Sequence, residues 1–117
     1  MKHRVNFPKL HRKRDQRLAL IRNMANHFIL QERITTTKAK AKATQRYVEK
    51  LITKAKKQNL AAFRIIRSRL PQVATQKVYY DLAKRYETRK GGYTRILKLE
   101  TTKQKDGSSL VILDLVK

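Results

Sequence analysis

One stretch decides the fold: residues 33–57, which read RITTTKAKAKATQRYVEKLITKAKK. Its β-branched start at residues 34–36 favours extended backbone, and Thr37 then offers a side-chain oxygen that can cap the amides of a following helix. The stretch therefore predicts a first strand over residues 33–36 that turns directly into a helix over residues 38–57.

This predicted helix has two unlike faces. Small and apolar residues recur at three- and four-residue steps and so share one side, namely Ala41, Thr44, Val48, Leu51, Ile52 and Ala55. The opposite side is basic, with Lys42, Arg46, Lys50 and Lys57 on it and Lys38 and Lys54 nearer its flanks. Such a helix buries its aliphatic side in protein and offers its cationic side to a polyanion.

The composition of the whole chain points to the same kind of partner. The 117 residues suit one domain with one modest core, and 40% of them are hydrophobic. The chain carries 30 Lys and Arg against 8 Asp and Glu, and a net charge of +22 repels itself unless an anion compensates it. The absence of cysteine excludes disulfides, thiolate nucleophiles and the usual structural zinc sites. No apolar run approaches the roughly 20 residues that cross a bilayer.

Three more helices are predicted around the central one. We expect Asp15 to cap the first, which runs to about Gln31, and Asn59 to cap the third, while residues 73–88 form the fourth. The predicted inward residues are Leu18, Ile21, Ala25, Phe28 and Ile29 in the first helix, Leu60, Phe63, Ile66 and Leu70 in the third, and Val78, Tyr79, Leu82, Ala83 and Tyr86 in the fourth. Tyrosines at helical spacing favour a core role over base stacking, with Tyr80 at the rim.

A hairpin is predicted at the C-terminal side. Strands over residues 93–100 and 110–116 flank a long tip with the turn signal Asp106-Gly107, and the first strand joins this hairpin. The fold class is therefore α+β, with about four helices packed against a small three-stranded sheet. Residues 1–14, which hold six Lys or Arg and no acid, are predicted to form an extended basic arm, and residues 15–117 a single globular domain.

The residue types of an enzyme are not clustered in this sequence. The eight acids are spread about one per element, and His3, His11 and His27 lack metal-ligand spacing. Gly91-Gly92 has neither a P-loop nor a dinucleotide pattern around it. We therefore predict no catalytic residue, no metal, no cofactor and no small-molecule substrate. Cationic residues are instead dispersed over several elements, which suits a folded RNA better than one groove of duplex DNA.

Several segments resemble one known family. They are His11-Arg12, residues 17–25 (RLALIRNMA), 32–41 (ERITTTKAKA), 49–56 (EKLITKAK) and 89–97 (RKGGYTRIL). In this order they resemble bacterial-type large-subunit ribosomal protein seventeen over nearly the whole chain, and the GGYTR block is the most specific part. The resemblance implies an α+β protein of the large ribosomal subunit that binds large-subunit ribosomal RNA on the solvent side, towards the exit tunnel. Residues 58–77 and the lysine-rich hairpin tip depart from the family pattern.

On this basis we predict a structural ribosomal protein that neutralises and positions RNA phosphates. Its partners are large-subunit ribosomal RNA and neighbouring large-subunit ribosomal proteins, with no membrane contact. The predicted RNA-binding residues are Lys2, His3, Arg4, His11, Arg12, Lys13, Arg14 and Arg17 in and beside the arm, Thr37, Lys38 and Lys40 at the start of the second helix, and Arg89, Lys90, Gly91, Gly92, Tyr93 and Arg95 around the glycine pair.

Two other functions compete with this one. A DNA-architectural protein of the nucleoid is the main alternative, because charge alone suits DNA as well as RNA. A cationic membrane-surface protein is the other, although the best-defined apolar helix face lacks Trp and Phe anchors. The start of the sequence shows no recognisable targeting extension, so the expected location is the ribosome of a bacterial cytoplasm, with an organellar ribosome as the alternative.

Overall fold

The computed structural model describes residues 13–102 and 109–117. They form helix α1 (Arg14–Gln31), strand β1 (Arg33–Thr37), helix α2 (Lys38–Ala55), helix α3 (Leu60–Arg67), a helix α4 over residues 72–85, strand β2 (Thr94–Thr102) and strand β3 (Ser109–Leu115). This order confirms the predicted α+β class with four helices and three strands. Most of the predicted arm and the hairpin tip at residues 103–108 lie outside the described residues.

The sheet has β3 at its centre. Both β1 and β2 pair with β3 in antiparallel register, so that Ile34 and Ile96 each lie opposite Leu113. Alternate β3 residues Val111, Leu113 and Leu115 are buried, as the period of a strand requires when one face is covered. The prediction that the first strand joins the hairpin is confirmed.

Helix α2 packs against every other helix and against all three strands. Its predicted apolar side is confirmed, since Ala41, Thr44, Val48, Leu51, Ile52 and Ala55 are all buried. Phe28 and Ile29 of α1 and Ile66 of α3 join the same core and are fully buried. The central helix therefore organises the core, as its two-sided pattern predicts.

Two of the predicted helix caps are wrong in detail. Helix α1 begins one residue before Asp15 and has Lys13 in the cap position, so Asp15 lies in the first turn, where the helix dipole favours its negative charge. Thr37 does occupy the cap position of α2 in extended backbone, but its side chain accepts no capping hydrogen bond. The cap of α3 is confirmed, because Asn59 Oδ1 accepts a 2.7 Å hydrogen bond from the Ala62 amide.

The inward face of α3 differs from the prediction. Leu60 is 61% exposed, because the four-residue steps from Ala62 to Ile66 and Leu70 supply the buried column and leave the first helical residue outside it. Phe63 is half-buried.

Helix α4 contains a π-helical segment, Lys77–Leu82, between the α-helical segments Gln72–Gln76 and Ala83–Arg85. The predicted stripe holds in outline, with Val78, Leu82, Ala83 and Tyr86 buried and Tyr79 half-buried. Residues four apart stay on the core side in both kinds of helix. Four residues make slightly more than one turn of an α-helix and slightly less than one turn of a π-helix.

Among residues 13–102 and 109–117, none of the helices combines the length and the apolar character that a membrane crossing requires.

Candidate nucleic-acid interface

The basic side of α2 forms the floor of an open cleft of about 510 Å³. Arg46, Lys50 and Lys54 recur at four-residue steps along the C-terminal part of the helix, which places them in one row. The helix ends at Ala55, two residues before its predicted end, and Lys57 continues the row just beyond it. Arg69, just after α3, and Gly91, before β2, complete the lining together with Glu49, Thr53 and Tyr93. Elements distant in sequence thus bring five cations to one surface.

The single acid of the cleft is held by the start of β2. Glu49 Oε2 accepts hydrogen bonds from the Thr94 amide at 3.1 Å and from the Thr94 hydroxyl at 2.7 Å. These bonds tie the carboxylate to the amide and the hydroxyl of Thr94. They also fix the edge of the sheet against α2, so the carboxylate has a structural use within the cleft.

The segment before β2 is fastened to α2 as well. The Lys56 ammonium donates to the Arg89 carbonyl and, over 3.1 Å, to the Tyr93 hydroxyl, and it lies 5.1 Å from the centre of the Tyr93 ring. Thr53 and Tyr93 share a 3.1 Å hydrogen bond between their hydroxyls. The position of Gly91 beside the lysine row therefore follows from the contacts of Lys56, Thr53 and Tyr93.

Arg89 holds the backbone of the glycine pair through hydrogen bonds. Arg89 Nε donates to the carbonyl oxygens of Gly91 and Gly92 at 3.2 and 3.1 Å. Gly92 has φ +61°, a left-handed backbone that glycine adopts without a steric penalty. A Cβ built on Gly92 would meet no atom within 4 Å, so this side of the loop is open to a partner.

Other acids of the described chain neutralise cations that do not line the cleft. Glu32 receives a two-pronged contact from Arg85, at 2.8 and 3.2 Å, and a 2.8 Å salt bridge from Lys77. The hydrogen bond from Arg85, followed by that from Lys77, lowers the pKa of Glu32 to about 2. Arg95 pairs with Asp114 at 3.1 Å.

In contrast, the side chains of Lys50, Lys54, Lys57 and Arg69 form no salt bridge with a described residue. These four cations therefore give the cleft a positive charge that no described acid neutralises through a salt bridge. A polyanion is the partner that such a surface attracts.

The structure separates the predicted RNA-binding residues into several places. Lys2, His3, Arg4, His11 and Arg12 lie outside the described residues. Lys13 and Arg14 are exposed at the start of α1, and Arg17 is half-buried one turn later. Thr37, exposed Lys38 and half-buried Lys40 stand at the N-terminal end of α2, and Lys40 is about 21 Å from Lys54 along the helix axis at ~1.5 Å per residue.

Among the predicted residues that the structure describes, only those around the glycine pair come close to the cleft. Gly91 and Tyr93 line it, and Arg89 donates hydrogen bonds to the glycine carbonyls beside it. The Tyr93 side chain is 1% exposed, so it supports the loop from the interior of the protein. Arg89 and Lys90 are exposed. Arg95 lies in β2 opposite Asp114, with its guanidinium in the salt bridge described above.

The RNA-binding set predicted from the sequence omitted the cations that line the cleft. The predicted basic side of the second helix already held Arg46, Lys50, Lys54 and Lys57. Their spacing of three and four residues was the signal that could have added them to the RNA-binding set. Arg69 carries no such signal, because only the packing of α3 against α2 brings it to the row. Within the described part of the chain, no group of three His, Asp or Glu side chains is arranged to hold a metal ion.

Comparison with known proteins identifies the family. The sequence model of the family described as "Ribosomal protein L17" matches residues 20–116. The chain belongs to this family. It is 45% identical over 117 residues to "Large ribosomal subunit protein bL17" of a Hydrogenobaculum species, covering 99% of both chains. It is also 42% identical over 123 residues to the protein of the same name from Staphylococcus aureus, covering 96% of this chain and all of the relative. The resemblance stated from the sequence is confirmed.

Proposed function

We propose that this protein is a structural component of the large ribosomal subunit that binds and positions large-subunit ribosomal RNA by neutralising its phosphates, without catalysis. Family membership supports the ribosomal setting, since the similar proteins carry the name of the large subunit. The observation that carries RNA binding is the cleft, in which four cations without a salt bridge to a described residue share one surface with the open glycine loop.

The cleft supports phosphate binding through both distance and charge. Residues one helical turn apart have side chains about 5–6 Å from each other, so the row on α2 offers successive cations to successive phosphates of one strand. Each contact releases counterions, and the contacts position RNA without reading its sequence. The open backbone at Gly92 adds a place where RNA can approach the main chain closely.

The proposed setting follows from the same function. The partners are large-subunit ribosomal RNA and neighbouring ribosomal proteins, and the location is the ribosome in the cytoplasm. The predicted residues of the arm, of the start of α2 and of the glycine pair remain part of the proposed RNA surface, to which we add Arg46, Lys50, Lys54, Lys57 and Arg69.

The test compares two triple variants of equal charge. Lys50→Ala, Lys54→Ala and Lys57→Ala together remove three cations of the row, while Arg22→Ala, Arg64→Ala and Lys98→Ala remove three exposed cations outside the cleft. RNA affinity is measured over a range of salt concentrations. We expect the row variant to reduce the slope of log affinity against log salt by about 2, at ~0.7 per lost phosphate contact, and the control to reduce it less. Equal slopes for the two variants would remove the cleft from the RNA surface.

Sedimentation separates the ribosomal function from its DNA-binding alternative. Tagged protein from cells is run on a sucrose gradient, and fractions are analysed by mass spectrometry. One copy per large subunit supports the proposal, whereas co-migration with duplex DNA of mixed sequence would favour a nucleoid protein.

A further inference from the structure

Tyr80 is the one exposed aromatic side chain of the described residues. Its side chain is 63% exposed, although it belongs to the helix whose other tyrosines are buried or half-buried. Two neighbouring rings hold it from the side: Tyr79 at 5.0 Å between ring centres and 85° between planes, and Phe63 at 6.5 Å. Tyr80 therefore presents a ring to solvent while its neighbours restrict its movement.

The backbone beneath this ring is unusual in two ways. Tyr80 lies in the π-helical segment Lys77–Leu82, and such segments occur frequently at functional sites. Gln58, next to it in space, has φ +54°, and its side-chain amide donates 2.8 Å hydrogen bonds to the carbonyls of Ala55 and Tyr79. Gln58 thus combines a strained backbone with two side-chain hydrogen bonds, and these hold the surroundings of Tyr80 in place.

A hollow of about 350 Å³ opens beside the ring. It is lined by Lys56, Gln58, Tyr80, Ala83, Lys84 and Glu87. The ammonium of Lys56 is bound to the Arg89 carbonyl and the Tyr93 hydroxyl, and the Gln58 amide is occupied as described above. Lys84 and Glu87 form no salt bridge with a described residue, so they are the charged groups available to a ligand.

We propose that Tyr80 and this hollow bind one unstacked nucleobase of a single-stranded RNA segment. The base stacks on the Tyr80 ring, the Lys84 ammonium meets an adjoining phosphate, and the Glu87 carboxylate accepts a hydrogen bond from an exocyclic amino group. Cytosine, adenine and guanine carry such a group and uracil does not, so the site prefers the first three. The inference rests on the proposed function only in taking RNA as the partner.

The lining favours a base over an apolar side chain of a protein partner. A pocket for a protein anchor is lined by hydrophobic and aromatic side chains, whereas four of the six residues here are Lys, Gln or Glu. An aromatic ring beside a cation is the arrangement on which RNA-binding proteins stack splayed bases. The site also lies apart from the cleft, with which it shares no lining residue.

The test uses the absence of tryptophan in this chain. Tyr80→Trp introduces a single fluorescent reporter, which is titrated with short single-stranded oligocytidylate and oligouridylate of equal length at one salt concentration, so that phosphate contacts are the same for both. We expect stacking to quench the reporter, more strongly with oligocytidylate. In the otherwise native protein, Tyr80→Ala should weaken oligocytidylate binding by about 5- to 150-fold, the range for loss of one stacked base. Leu60→Ala, at a residue that is 61% exposed, is the matched control and should leave affinity unchanged.

A second variant tests base recognition. Glu87→Gln should reduce the preference for oligocytidylate over oligouridylate, because a neutral amide oxygen accepts a weaker hydrogen bond from the amino group than a carboxylate does.

Three results would overturn the inference: an unquenched reporter, equal affinities for Tyr80→Ala and Leu60→Ala, or loss of Tyr80→Ala protein from large subunits with unchanged affinity for RNA. The last would assign the surface to a protein neighbour. The proposed function is judged separately by the salt slope of the α2 row, which Tyr80→Ala leaves unaltered.

Discussion

Leu51→Ala is expected to destabilise this protein more than any change on the opposite side of α2. Leu51 is 1% exposed and belongs to the core that joins all the helices to the sheet. Truncating a buried leucine costs about 2–5 kcal/mol, according to how far the surroundings close over the cavity. Because α2 packs against every other element, no single element can move in without losing contacts elsewhere, and we expect a value in the upper half of that range.

The measurement is urea unfolding followed by circular dichroism. A domain of this kind has a total stability of about 5–15 kcal/mol, so the variant should lose a large share of it and melt roughly 10–20 °C lower. Lys50→Ala is the adjacent control: its side chain is exposed in the cleft, and the change should alter stability by no more than about 0.5 kcal/mol. A Lys50→Ala protein that unfolds at lower urea than Leu51→Ala would refute the assignment of the two faces.

Three further predictions follow from the described contacts. The pKa of Glu32 is lowered from 4.5 to about 2, so its salt bridges contribute stability above about pH 4.5 that is lost as pH falls towards 2. The difference in urea midpoint between the native protein and Glu32→Gln should therefore shrink over that interval. A constant difference would contradict this prediction. Gly92→Val should cost about 1–2 kcal/mol through its left-handed backbone alone, measured by thermal melting, and should also lower occupancy in purified large subunits; full occupancy would remove the RNA contact. Deleting residues 1–12 should preserve the far-UV helix signal, because the first buried described residue is Ala25, while impairing assembly; loss of that signal would make the arm part of the core.

What could be predicted from the sequence is what local periodicity and local chemistry determine. The six apolar residues of α2 lie at steps that only a helix brings to one side, and all six are buried. Asn59 precedes its helix with a side chain of the right length and accepts the expected hydrogen bond. The β-branched run at residues 34–36 and the alternation at the C-terminal side placed two of the three strands within one residue of their observed bounds.

Competition between neighbours explains the details that were wrong. Leu60 has the apolar character of an inward residue, but Ala62, Ile66 and Leu70 fill the interior and leave Leu60 at the rim. Thr37 has a suitable oxygen and the cap position, yet forms no cap bond, since position alone does not determine its rotamer. No pattern in the sequence predicted the π-helical segment in α4.

The candidate site was the least predictable part, because it is assembled by packing. Residue spacing located the cationic row of α2, but the approach of Arg69 and Gly91 depends on how α3 and the start of β2 meet that helix. Sequence alone also gave no indication that Thr94 holds Glu49, or that Tyr93 of the GGYTR block is buried beneath the glycines. The tyrosine pattern gave the correct core residues and left no sign that Tyr80 stands beside a hollow.

The central place of β3 has a consequence for how the protein is made. Neither β1 nor β2 pairs with the other, and both take their partner from residues 109–115, which a translating ribosome adds after all the helices. The nascent chain can therefore assemble helices around α2 early, but it holds two unpaired strands until the last one emerges. The strands that carry Ile34 and Ile96 lack their partner opposite Leu113 during that time and are open to mispairing. Completion of the sheet is thus a late, long-range step, and a chain stalled before residue 109 would be the form most in need of a chaperone.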